Sequence, residues 1–292
     1  MQPARVPSIV VHGGAGADPA DADEFRAGVR GAVLAGWTVL GAGGSALDAV
    51  EAAVRALEDH PRFNAGRGSV LTSAGTVEMD ASIMEGDRLR CGAVAAVSRI
   101  ANPITLARRV MQETPHVLLA GEGALAFARA QGLPECDPQS LVTERQRARH
   151  QARLVPTAKG TVGAVALDRS GTIAAATSTG GTSGKLPGRV GDSALIGCGT
   201  YADSTLGGVS CTGDGEAIIR VVLAREALHY LKDADDPDYA ARVAVDLLVE
   251  EGLGQGGLIL LDWRGRIGWA HSTRLMPVAL MSPTLGEPRV PF

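Results

Sequence analysis

The segment spanning residues 133–159 divides this chain. It is rich in Pro, Gln, Arg and Asp and holds few residues for a core. It ends at Gly160-Thr161, where the sequence turns at once into the apolar run Val162-Gly163-Ala164-Val165-Ala166-Leu167. On each side lies a strand-rich half with its own pair of helical periods, so the fold must accommodate two sheets and two helical layers around a polar interruption. The expected class is α+β, a four-layer αββα sandwich. The interruption, about 134–159, reads as a surface linker able to fray once cut, with part of it, 140–153, of helical character. Its Arg145, Arg147, Arg149, Arg153 and Lys159 read as a solvated face.

In the first half, 8–11 reads as a buried strand ending in the glycine-rich turn His12-Gly13-Gly14-Ala15-Gly16. A helix over 24–41 places Phe25, Val29, Val33 and Trp37 on one face. A second helix, 46–58, carries a capping box of Ser45 with Asp48. Residues 69–72 and 76–83 flank Ser73-Ala74-Gly75 as a hairpin, 91–97 is a further strand, and helices follow at 104–113, begun by Pro103, and at 121–131. In the second half, strands 161–167 and 172–178 flank the turn Asp168-Arg169-Ser170-Gly171. Strands at 194–198, 207–211, 257–262 and 267–272 follow, with helices at 215–231 and 237–251.

Composition excludes several classes. Net charge is −4 with both signs mixed and no basic stripe, and aromatic residues make up 3% of the chain, so nucleic acid is not an expected partner. A hydrophobic share of 45% supports a core of ordinary size, and the apolar runs fall short of the roughly 20 residues a membrane helix requires. The four cysteines form no C-x-x-C pair, and no apolar leader precedes Ser8, so a reduced, cytoplasmic setting is expected. Gly41-Ala42-Gly43-Gly44-Ser45-Ala46 fits the dinucleotide pattern G-x-G-x-x-A, but it follows a helical rather than a strand period and reads as a helix–helix turn. The six histidines are scattered with no H-x-x-x-H pair, so no catalytic metal is indicated.

Thr161 admits two readings. It is an ordinary start to a strand, or the Gly160–Thr161 bond is cut and Thr161 becomes an N-terminus whose hydroxyl is the nucleophile and whose freed amine is the base. An α-amine titrates near ~7.7–8.0, so a useful fraction is neutral around neutral pH. Arg189 and Asp192 likewise read either as a solvated surface pair or as a clamp for an amino-acid end, Arg forking onto its carboxylate and Asp accepting from its ammonium.

The ordered set Val11-His12-Gly13-Gly14-Ala15-Gly16, Leu57 to Gly66, Gly160-Thr161, Thr177-Ser178-Thr179-Gly180-Gly181, Gly188-Arg189-Val190-Gly191-Asp192-Ser193 and Ser210-Cys211-Thr212-Gly213-Asp214-Gly215-Glu216 resembles the plant-type asparaginases, which are also isoaspartyl dipeptidases. These are N-terminal-nucleophile hydrolases of the threonine type. The resemblance runs from about residue 8 to about 280 and is poorest near 134–158. It implies a single domain over 1–292, self-cleaved into an α subunit 1–160 and a β subunit 161–292, and assembled as a dimer of αβ units. By the same resemblance Thr161 is the nucleophile, Thr179 tunes it, and Thr212 with the Gly213 amide meets the oxyanion. Arg189, Asp192 and the carbonyls of Gly213 and Gly215 hold the substrate, and Asn64 faces the site. Main-chain carbonyls of Leu57, Glu58, His60, Phe63, Ala65 and Arg67 would wrap a structural sodium ion, with no catalytic cofactor. The implied reaction is hydrolysis of L-asparagine or of β-aspartyl dipeptides. The alternatives are a glycosylasparaginase-type amidase, a threonine endoprotease of the same superfamily, and an unprocessed homologue acting as a binding module.

Overall fold

A computed structural model describes residues 5–152 and 160–292. Arg153 and Lys159, and the last positions of the expected linker, lie outside the described residues. The strands are β1 Ser8–His12, β2 Met79–Glu85, β3 Arg90–Val97, β4 Leu118–Ala120, β5 Val162–Leu167, β6 Ile173–Thr179, β7 Thr200–Asp203, β8 Gly207–Gly213, β9 Gly256–Asp262, β10 Ile267–His271 and β11 Val278–Met281. The helices are α1 Ala22–Gly41, α2 Ala46–Asp59, α3 Pro103–Glu113, α4 Gly121–Ala130, α5 Pro138–Leu141, α6 Glu144–Gln151, α7 Gly215–Val221, α8 Leu223–Ala234 and α9 Pro237–Glu250. No helix among the described residues is long and apolar enough to cross a membrane.

The strands form a seven-stranded sheet in the order β11-β1-β5-β6-β2-β3-β4 and a four-stranded sheet in the order β10-β9-β8-β7. All pairings are antiparallel except β3 with β4. Helices α1, α2 and α3 cover the outer face of the larger sheet, and α8 and α9 cover the smaller, which gives the expected αββα order. Each inner strand is therefore buried on both faces, which explains runs such as Gly257 to Leu261 that do not alternate with polar residues. Alternate residues still serve different cores. Ile9, Val11, Ala164 and Ala166 meet the helices, whereas Val10, Val165 and Leu167 face Ile259 and Leu261 across the sandwich. Leu258 and Leu260 point outward to α8 and α9.

Four expectations are corrected. Residues 69–72 do not form a strand: the Thr72 amide bonds Thr76 and the Gly75 amide bonds Thr72, closing a tight turn with only a Leu71–Val77 bridge. Residues 194–198 do not extend either. The Asp192 carbonyl accepts from the amides of Leu195 and Gly199, which winds the chain into a short 3-10 turn. The helix expected over 215–231 breaks at Val222, which adopts φ 51° and ψ 47°. The break lets the first amides of α8, on Ala224 and Arg225, bond the carbonyls of Cys198 and Gly197. Finally, the described part of the linker is docked. Gly68 donates to the Leu141 carbonyl, Gln146 Nε2 donates to the Gly68 carbonyl at 2.8 Å, and Leu141 and Gln146 are buried. The Ser45 hydroxyl caps α2 as expected, accepting from the Asp48 amide at 3.1 Å, while Asp48 accepts from the Ser45 hydroxyl at 2.7 Å.

Candidate active site

The antiparallel register of β5 and β6 pairs Gly163 with Thr177 and Val162 with Ser178. One step further along the same ladder, Thr161 lies opposite Thr179, and the Thr161 hydroxyl donates to Thr179 Oγ1 at 3.3 Å. Thr161 and Thr179 are 5% and 3% exposed, so the bond before Thr161 is sheltered from bulk water. The Gly160 carbonyl accepts from Asn64 Nδ2 at 2.7 Å and from the Thr179 hydroxyl at 2.9 Å. Asn64 is held in turn: its Nδ2 also donates to the Gly181 carbonyl at 2.7 Å, and its Oδ1 accepts from the Val70 amide at 2.8 Å. Gly14, at φ 105°, lies against this bond, and a Cβ there would come within 2.9 Å of Gly160 Cα and 3.0 Å of the Thr161 nitrogen. The glycines of the first turn thus permit close backbone approach.

Across the sandwich, Ser210 Oγ fills the space that a side chain at Gly163 would need. Thr212, two residues along β8, projects from the same face toward Thr161, and its Oγ1 accepts from the Ala15 amide at 3.0 Å. That leaves its hydroxyl proton to donate elsewhere. Gly213 and Gly160 both line a cavity of about 590 Å³ that opens beside the Gly160–Thr161 bond.

Arg189 and Asp192 converge beside Gly215. A Cβ on Gly215 would lie 2.7 Å from Arg189 Nη2 and 2.8 Å from Asp192 Oδ1. Asp192 is buried, its Oδ2 has no partner among the described residues, and burial pushes its carboxyl up to about 7, with the Arg189 charge pulling the other way. The guanidinium of Arg189 forks onto Glu216 through two bonds of 2.9 Å. The loop carrying both residues is tied to β2, where Asp80 accepts from the Gly191 amide and from the Ala96 amide, both at 2.9 Å. Asp80 and Glu216 escaped the sequence reading as positioning groups. Asp80 carries a detectable signal, a carboxylate inside the apolar run of β2, whereas Glu216 carries none beyond its place in the motif.

A second unforeseen feature is a buried chain of polar groups between the sheets. His12 Nε2 meets Ser210 Oγ at 2.9 Å, Ser210 meets Thr177 at 2.7 Å, and Thr200 and Ser82 continue it to the Ser193 carbonyl. Burial pushes His12 down to about 3, so its imidazole is neutral near pH 7.

Between Leu57 and Arg67, three main-chain carbonyls are engaged by amides of the same stretch. Those of Leu57, Glu58 and His60 accept from the amides of His60, Arg67 and Phe63 at 3.3, 2.8 and 3.2 Å. Each oxygen keeps a second lone pair. At Gly68, a Cβ would approach the Pro61 and Phe63 carbonyls to 2.6 Å, so neutral oxygens crowd this turn. Such donors fit a hard cation of low charge. Among the described residues no group of three or more His, Cys, Asp or Glu side chains is placed to hold a metal.

Two facing sheets between helical layers, with a sheltered threonine opening an inner strand, define the sandwich of the N-terminal-nucleophile hydrolases. The chain belongs to the asparaginase family, whose model matches residues 5–285. It is 52% identical over 279 residues to an isoaspartyl peptidase/L-asparaginase of Xenopus laevis, covering 92% of this chain and 90% of the relative. It is 49% identical over 271 residues to the human protein of the same name, covering 89% and 88%. A plant-type L-asparaginase of Pyrococcus abyssi is 45% identical over 302 residues, covering 96% and 98%.

Proposed function

We propose that the protein is a threonine-nucleophile amidohydrolase that releases L-aspartate from L-asparagine and from β-aspartyl dipeptides, after cutting its own Gly160–Thr161 bond. The observation that carries this reading is the buried relay from the Thr161 hydroxyl to Thr179 and from Thr179 to the Gly160 carbonyl. In maturation Thr161 Oγ1 bonds the Gly160 carbonyl carbon, the C–N bond breaks, and the nitrogen takes the proton. Asn64 and Thr179 are the two donors that meet the negative charge building on the Gly160 oxygen, and losing one such donor typically costs ~10²–10³ in rate. Water then hydrolyses the ester, leaving a carboxylate on Gly160 and a free amine on Thr161.

In turnover that amine takes the hydroxyl proton while Oγ1 attacks the side-chain carbonyl of the substrate. Ammonia or an α-amino acid leaves with the proton, and water releases L-aspartate from the Thr161 ester. The Thr212 hydroxyl and the Gly213 amide stabilise the oxyanion of this second reaction. Arg189 takes the α-carboxylate, and Asp192, whose Oδ1 lies beside Gly215, takes the ammonium with help from the Gly213 and Gly215 carbonyls. No catalytic cofactor is invoked. A sodium ion held by the carbonyls of Leu57, Glu58, His60, Phe63, Ala65 and Arg67 would stiffen the loop that presents Asn64. The working form is a dimer of cut αβ units.

The test compares the protein with Thr161→Ala. On a denaturing gel the unmodified protein gives two bands and the variant one. The variant loses ~10³-fold or more in turnover of both L-asparagine and a β-aspartyl dipeptide. Retained hydrolysis by an uncut Thr161→Ala protein would overturn the reading.

A further inference from the structure

The cavity beside Gly160 is larger and more basic than asparagine hydrolysis requires, since its leaving group is ammonia. Among the described residues, Arg62, Arg145, Arg149 and Arg274 line it, against a single lining acid, Asp18. Asp18 Oδ1 is engaged by the Ala20 amide at 3.0 Å. Arg62 is ion-paired with Asp21 and Glu24. Arg145 and Arg149 have no such ion pair among the described residues: Arg145 Nη1 donates to the Arg62 carbonyl at 3.2 Å, and Arg149 Nη1 is buried with no partner. Burial and the neighbouring charges of Arg149 and Arg62 push Arg145 down to about 10, so it stays cationic near neutral pH while bearing the repulsion. Helix α6, which carries Arg145 and Arg149, is fixed by the Gln146 bond to Gly68, so this charge is built in rather than swinging free. Phe25 and Phe63 form an apolar wall on the same cavity, and Gly213 closes the end toward Thr212.

We propose that this arginine-lined cavity is the leaving-group subsite, taking the α-carboxylate of the amino acid that departs from a β-aspartyl dipeptide. This rests on the function proposed above. With the aspartyl end held by Arg189 and Asp192 on the Gly215 side of Gly213, the departing residue extends past Gly213 into the cavity. Its carboxylate reaches Arg149 and Arg145, and an apolar side chain lies along Phe25 and Phe63. The chain thereby selects dipeptides with a free C-terminus and an apolar second residue.

The test uses the self-cleaved protein and three substrates: L-asparagine, β-aspartyl-leucine and β-aspartyl-leucine amide, which lacks the terminal carboxylate. In Arg149→Gln, kcat/KM for β-aspartyl-leucine is expected to fall about 10-fold or more, mainly through KM, as for loss of one charge-assisted hydrogen bond. Values for L-asparagine and for the amide are expected to stay within about 2-fold of the unmodified protein, which also shows that the variant folds and matures. Equal losses on the dipeptide and its amide, or no loss on either, would overturn the subsite. Failure of the unmodified protein to hydrolyse any of the three would instead remove the function on which it rests. Arg145→Gln provides an independent repeat, with the same pattern expected.

Discussion

Glu58 shows how much a single side chain can depart from its usual chemistry. Its carboxyl accepts from the Ser178 hydroxyl at 2.7 Å and from the Ile104 amide at 3.1 Å, and Oε2 has no partner among the described residues. Burial outweighs these bonds and pushes the group from 4.5 up to about 8. A carboxyl raised in this way holds its proton more tightly folded than unfolded. Its contribution to stability is therefore full below about 4.5, declines as pH rises toward about 8, and is flat above. Glu58→Gln keeps an acceptor for both donors and carries no charge. Between pH 5 and pH 8 its Tm is expected to fall less than that of the unmodified protein, and parallel curves would show that Glu58 does not titrate in this window. The sequence offered Glu58 only as a main-chain carbonyl in an ion loop. Its side chain became significant only once the third helix and the sixth strand closed over it.

Elements with strong periods were legible from the residues: the observed α1, α2, α3, α4 and α9 begin and end close to the expected positions. The failures share a cause. The short edge strands β4 and β11 are made by neighbours distant in the chain, since β4 pairs with β3 and β11 with β1, and neither has a pattern long enough to announce itself. The split of 215–231 at Val222 is also a tertiary effect, because apolar periodicity continues through it while the Gly197 and Cys198 carbonyls draw the chain aside. A β-branched residue at φ 51° is strained. Val222 is 41% exposed, so little packing is lost on replacing it. Val222→Asn, a residue that tolerates the left-handed region, is expected to stabilise the fold by about 1 kcal/mol in urea unfolding. A loss of similar size would mean that the Val222 side chain, against Gly197, matters more than the backbone.

For the whole molecule, the order of the larger sheet has a direct consequence for a chain cut before Thr161. Strands β1, β2, β3 and β4 come from residues before the cut, and β5, β6 and β11 from residues after it. They interleave: β1 lies between β11 and β5, and β6 lies against β2. Separating the two pieces would break three antiparallel ladders and open the core between α2 and β5. The cut protein is accordingly expected to elute as one species in native size exclusion, with both pieces present, and to resolve into two only in denaturant. Elution of the pieces apart would show that they are not held by the sheet.

The residues alone specified the long helices and inner strands, that the two halves are layered, and that a glycine–threonine bond opens an inner strand, because these follow from local periodicity and from residue types that recur at short range. They also named Thr161, Thr179, Thr212, Arg189 and Asp192, through motifs rather than through geometry. The fold alone supplied the donors on the Gly160 carbonyl, the tie from Asp80 to the Arg189 loop, the pairing of Arg189 with Glu216 and the arginine cavity. Each joins positions far apart in the chain, and a hydrogen bond or a field between such groups exists only at ångström separations that packing sets.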